Sequence, residues 1–165
     1  MNLLGSIRLL TIVGLAACVP GVFAQDYNGH VYGHVGNGLA TETEREQIVV
    51  GGGGEGFVWK GLAAGGDINY VFRRDNAGEG QYGLGSVGAA YHFTDRTRQQ
   101  KLVPFVTGGY SLGFAGGGAT INLFHYGGGV TYWMAERVGL RVEFRDHVES
   151  NGRLVAFVRV GVSFR

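Results

Sequence analysis

Between Arg137 and His147 apolar and charged residues alternate one for one, with Leu140, Val142 and Phe144 interleaved among Arg141, Glu143 and Arg145. A period of two belongs to a β-strand and gives it one greasy face and one ionised face. The same period divides the chain after residue 26 into eight segments: Tyr27–Gly36, Gln47–Val58, Gly61–Arg73, Gln81–Phe93, Leu102–Phe114, Thr120–Trp133, Arg137–His147 and Arg153–Phe164. Outside the first residues no apolar spacing of three and four supports a helix. Most segments exceed the usual soluble strand of about 5–6 residues and suit tilted membrane strands, which need about 9–11.

The connections are Asn37–Glu46, Trp59–Lys60, Arg74–Gly80, Thr94–Lys101, Ala115–Ala119, Met134–Glu136 and Val148–Gly152. Long and short ones alternate, the fourth excepted, as the outer loops and periplasmic turns of a membrane barrel do. Within segments the faces separate cleanly. Leu62, Ala64, Gly66, Ile68, Tyr70 and Phe72 oppose Gly65, Asp67, Asn69 and Arg73. Likewise Val158, Val160 and Val162 oppose Arg159, Gly161 and Ser163, while Val31 and Val35 oppose His30, Tyr32 and His34.

Such alternation fits a soluble barrel with an apolar inside or a membrane barrel with a polar inside. Composition separates the two. The apolar face is rich in Gly and Ala, which fill a protein core poorly but suffice against lipid chains. Lysine, the usual ornament of a solvated sheet, occurs only at Lys60 and Lys101, both in turns. The strand charges are Arg, Asp, Glu and His, which pair well in confined space. The charges are therefore expected inside. Trp59, Tyr70, Phe72, Tyr91, Phe93, Tyr132, Trp133 and Phe164 lie near segment ends, where an interfacial aromatic girdle is expected.

Glycine supplies 32 of 165 residues without a collagen repeat, and the formal charge of +1 points to no nucleic-acid partner. Residues 1–24 read as a cleavable signal peptide, with Arg8, an apolar run from Leu9 to Val19, and cleavage expected after Ala24. Their removal leaves residues 25–165 as a formally neutral barrel domain. Cys18, the single cysteine, sits in a Leu-Ala-Ala-Cys sequence that also matches a lipidation site, and it excludes an internal disulfide in either case.

The stretches Ala135–His147, Lys101–Phe114 and Phe124–Leu140 resemble small outer-membrane β-barrels of the OmpA/OmpX type, the porin-like family of bacterial envelopes. The final strand, Arg159–Phe164, is similar to the family's assembly signal, carried here by Gly161 and Phe164; Arg165 follows where the family usually ends on an aromatic residue. The resemblance implies an all-β, eight-stranded antiparallel up-and-down barrel in the bacterial outer membrane. It implies lipid and lipopolysaccharide as surroundings, and periplasmic chaperones and the barrel-assembly machinery as partners during biogenesis. A monomer without an appended domain, without cofactor and without enzymatic activity is expected.

Each candidate for chemistry competes with a plainer structural role. Gly83–Gly88 satisfies G-x-G-x-x-G but lies inside a strand, whereas a dinucleotide site needs a helix to follow. Gly51–Gly54 lacks the lysine of a phosphate loop. His30 and His34 share a face but stand about 13 Å apart along a strand, too far to chelate one ion. His92 and His125 would join either only by favourable register, so lumen histidines held by hydrogen bonds are expected, with no metal. His147 and Ser150 invite comparison with lipid A deacylases, but three positions along a strand put them on opposite faces. The remaining set is Glu55, Asp67, Arg73, Arg141, Glu143, Arg145 and Arg159, expected to neutralise one another and plug the lumen. A structural or surface-interaction role follows; the alternatives are a narrow channel for small solutes or ions, a soluble periplasmic ligand-binding barrel, and a lipid A-modifying hydrolase.

Overall fold

The computed structural model describes residues 29–40, 45–73, 80–93, 100–115, 118, 120–149 and 152–165. The signal segment, Cys18 and Ala24 lie outside the described residues, as does Ser150. Eight strands follow one another: β1 (Gly29–Ala40), β2 (Arg45–Trp59), β3 (Leu62–Arg73), β4 (Tyr82–His92), β5 (Leu102–Ala115), β6 (Thr120–Trp133), β7 (Val138–Glu149) and β8 (Leu154–Phe164). Each pairs antiparallel with its sequence neighbours, and β1 closes on β8 from Val31↔Phe164 to Ala40↔Val155. The sheet therefore has no free edge.

Exposure confirms the inversion. Val142 is 37% exposed and Ile68 72%, whereas Arg141 is 3% and Arg159 2% exposed. Apolar side chains of all eight strands cover the outer wall, from Val31 and Val50 to Phe144 and Val160. Such a wall is stable against lipid and costly against water.

Two expectations need correction. The first connection is shorter than Asn37–Glu46, because β1 runs to Ala40 and β2 begins at Arg45, with Gly38 opposite Gln47 and Leu39 opposite Glu46. Asn37-Gly38 looked like a turn. In the barrel Gly38 instead leaves room for Phe157, whose ring lies against the place a Cβ would take, and Leu39 keeps the outward alternation. Trp133 is the second. It is 4% exposed and points into the barrel rather than into an interfacial girdle. It shares the parity of buried Thr131, and Gly139 clears space beside it, since a Cβ there would lie 2.9 Å from the indole. Arg165 caps the indole face with its guanidinium 4.3 Å from the ring centre.

The β2–β3 connection is a two-residue turn, Lys60–Gly61, with φ of 27° and 88°. Positive φ at both central residues is the hairpin geometry that matches strand twist. Gly61 is required twice over, because a Cβ would also strike the carbonyl of His92, whose amide donates to Gly61 O at 2.8 Å. This turn, the Met134–Arg137 turn and the ends of β1 and β8 define the turn end of the barrel. The connection after β4 joins strands at this same end, and the four connections after β1, β3, β5 and β7 define the loop end.

Candidate functional site

Three carboxylates and three guanidiniums, all at most 9% exposed, meet in the middle of the lumen: Glu55, Asp67, Glu143, Arg141, Arg145 and Arg159. Glu143 lies at the hub. Its Oε1 accepts from Arg145 Nε at 2.8 Å and from Arg159 Nη2 at 2.6 Å, and its Oε2 accepts from Arg141 Nε at 3.1 Å. Arg145 Nη1 also reaches Asp67 Oδ2 at 2.6 Å, and Arg141 Nη1 reaches Glu55 Oε1 at 2.7 Å. Asn69 steadies the second oxygen of Asp67 at 2.5 Å and accepts from His34 Nε2 at 2.7 Å. The Arg141 guanidinium lies between two rings, 3.8 Å from the centre of Phe105 and 4.5 Å from that of Tyr32. Desolvating each ion costs several kcal/mol, so only dense pairing of this sort makes the arrangement tolerable.

Glycine makes the density possible. Every one of the six charged residues has a glycine directly across from it on a neighbouring strand: Gly65 for Glu55, Gly53 for Asp67, Gly161 for Arg141, Gly129 for Glu143, Gly127 for Arg145 and Gly36 for Arg159. A Cβ on Gly53 would lie 2.6 Å from Asp67 Cβ, and one on Gly65 2.7 Å from Glu55 Cβ. An eight-stranded lumen is only wide enough to be filled by side chains. Long ionised groups fit when the position opposite each is left empty.

The two ends of the lumen differ. Toward the loop end Val49, Val71, Leu84, Leu123 and Phe157 form a buried apolar cluster, with Tyr82 and Val155 packed against it. Toward the turn end His30 and His92 meet Glu55, and Phe57, Phe105 and Trp133 pack against the two imidazoles. Between them a cavity of about 20 Å³, lined by Tyr32, Glu55, Asp67, Ser86, His125, Arg141 and Arg145, has room for a single water.

Of the residues singled out in the sequence, Arg73 stands apart from the six: it is half-buried at the end of β3, six residues along the strand from Asp67. Gly161 faces Arg141 across the β7–β8 ladder, and Phe164 is half exposed on the outer wall opposite Val138. Gly83–Gly88 is continuous strand within β4. His147 is 2% exposed inside the lumen, edge-on to Phe157 at 5.6 Å, and so does not face lipid as a wall-borne hydrolase site would need. His125, its partner across β6–β7, bonds to Ser111 at 2.8 Å.

His30 and His92 are hydrogen-bonded lumen histidines, as expected, but the carboxylate they share is not legible in the sequence. His30 Nε2 and His92 Nε2 each lie 3.0 Å from Glu55, on Oε1 and Oε2 respectively. Strand parity places both side chains inward, but which carboxylate they meet depends on the shear of the barrel, which sequence spacing does not carry.

No protein-family model matches the chain, and no curated protein matches it in sequence. Among solved structures, the N-terminal β-barrel domain of Pseudomonas aeruginosa OprF superposes with a TM-score of 0.62 at 18% identity, covering 85% of this chain and 100% of that one. This is the fold of the small outer-membrane β-barrels. Neisserial surface protein A shares it at TM-score 0.61 and 16% identity, over 82% of this chain and 96% of that one. Ail, the attachment invasion locus protein of Yersinia pestis, shares it at 0.58 and 11%, over 83% and 97%. At these identities of 11–18% the likeness is one of fold alone.

Proposed function

We propose that this protein is a bacterial outer-membrane barrel whose role is structural or surface-interactive, with its turn end toward the periplasm and its loops outside. The sealed lumen carries the reading. Six paired charges fill its centre and an apolar cluster closes its loop end, so a solute entering from the turn end meets first a salt-bridge network and then hydrocarbon. A cavity of about 20 Å³ beside the charge network holds about one water. A narrow polar path needs continuous hydrogen-bonding groups from mouth to mouth, and Val49, Val71, Leu84, Leu123 and Phe157 interrupt it.

Two small barrels of the same fold are named for surface exposure or attachment, which supports assigning the working surface to the loops rather than the lumen. Purified protein inserted into planar bilayers should show no steady conductance, and cells expressing it should expose loop-inserted epitope tags to external antibody. Steady channel openings that disappear in Arg141→Ala or Glu143→Ala would replace this reading with that of a small-solute channel.

A further inference from the structure

We propose that His30, Glu55 and His92 form a binding site for a divalent transition metal ion of the zinc class at the turn end of the lumen. The residues come from three strands, β1, β2 and β4, and their candidate donor atoms all lie within 4.8 Å of one another. Two imidazoles and one carboxylate are a recurrent zinc ligand set that leaves the fourth position to water.

The geometry is close to what an ion requires. Donors about 2.0–2.1 Å from a tetrahedral ion stand about 3.3 Å from each other; here each Nε2 is 3.0 Å from its Glu55 oxygen. Two imidazoles bound to one such ion through Nε2 have ring centres about 5.2 Å apart, and those of His30 and His92 are 5.4 Å apart with planes at 88°. Coordination would draw both Nε2 atoms and one Glu55 oxygen onto a single ion from positions that already lie within 4.8 Å of one another.

The surroundings hold these rings in place. His92 is stacked on Phe105 at 5.4 Å and edge-on to Phe57 at 5.1 Å, while Trp133 is edge-on to His30 at 6.1 Å. The His92 main chain is fixed by its bond to Gly61. Arg141 Nη1 lies 2.7 Å from Glu55 Oε1 and 3.2 Å from His30 Nε2, so metal binding requires it to give up the imidazole and keep the carboxylate. With the ion on Oε2, the guanidinium keeps Oε1 and orients the carboxylate, as hydrogen-bonding partners behind metal ligands commonly do. Each imidazole binds as the neutral tautomer with its proton moved from Nε2 to Nδ1, so no net proton is released. His30 Nδ1 lacks a partner among the described residues in either tautomer, so the exchange loses no further hydrogen bond there.

The test uses the full mature barrel refolded in detergent, with Co²⁺ as a visible probe and Zn²⁺ as competitor. Trp133 serves as a second reporter once Trp59, the other tryptophan, is replaced by Phe. One Co²⁺ per chain should give d–d bands and quench Trp133, and Zn²⁺ should abolish both. His30→Ala and His92→Ala should each weaken binding by more than the roughly 10–100-fold that loss of an outer partner costs, while His34→Ala and His125→Ala leave it unchanged. Folding of each variant is checked by heat-modifiable gel migration, with His30→Gln and His92→Gln replacing any that fail. Absence of Co²⁺ binding to the folded wild-type barrel, or binding that survives loss of both histidines, would overturn the assignment.

Discussion

Glu143 is the place where the lumen can be tested most directly. It receives all three buried arginines, and it is 2% exposed. Replacing it by Gln keeps the volume and a carbonyl acceptor but removes the charge, leaving three guanidiniums to two carboxylates. Arg145 Nη2 and Arg159 Nη2 approach the same oxygen at 2.7 and 2.6 Å, so they stand no more than about 5 Å apart. Like charges at that separation repel by about 3 kcal/mol at an effective dielectric of 20, and breaking a buried pair by removing one partner costs about 3–5 kcal/mol. Glu143→Gln should therefore lose about 3 kcal/mol or more. Asp67→Asn should lose less, because Arg145 and Arg159 then retain Glu143. Equilibrium urea unfolding of the barrel in lipid vesicles, followed by tryptophan fluorescence, reads both. High salt should not restore the loss, since a group this deeply buried is little screened. A cost under about 1 kcal/mol, or full rescue by salt, would refute the claim that these charges are packed together inside and neutralise one another.

The glycines opposite the charges make a second prediction: Gly65→Ala presses a methyl onto Glu55 Cβ and the facing backbone and should destabilise by about 1–3 kcal/mol, whereas at outward Gly33, with nothing nearer than 3.9 Å, the urea midpoint should hardly move. Phe157→Ala empties the loop-end cluster of its largest member and should cost about 3–5 kcal/mol in the same assay. Val142→Arg places a cation on the lipid wall beside buried Arg141 and should cost about 2–4 kcal/mol in vesicles if the site is near the bilayer midplane. A negligible effect would place Val142 at the water interface.

Architecture was legible because alternation is a local property. Strand number follows from the alternating segments, the inward direction of the charges from the scarcity of lysine and the Gly- and Ala-rich apolar face, and the common face of Glu55, Asp67, Arg141, Glu143, Arg145 and Arg159 follows from parity. So, in hindsight, does the loop-end cluster: Val49 and Val71 share faces with Glu55 and Asp67, and Leu123 and Phe157 share faces with His125 and Arg159. What parity does not carry is height along the barrel axis. Arg73 has the right face but lies at the end of its strand, and His92 meets Glu55 only because the stagger of β2, β3 and β4 brings them level. Glycine misled at Asn37-Gly38, where a residue typical of turns instead makes way for an aromatic ring.

The lumen charges are unevenly divided along the chain. The first half contributes Glu55 and Asp67, a balance of minus two, while β7 and β8 contribute Arg141, Arg145 and Arg159 against Glu143, a balance of plus two. Neither half is tolerable in hydrocarbon alone. Sealing the seam between the first and last strands is thus also the moment at which the ledger reaches zero, so an incompletely zipped intermediate carries its own electrostatic incentive to finish.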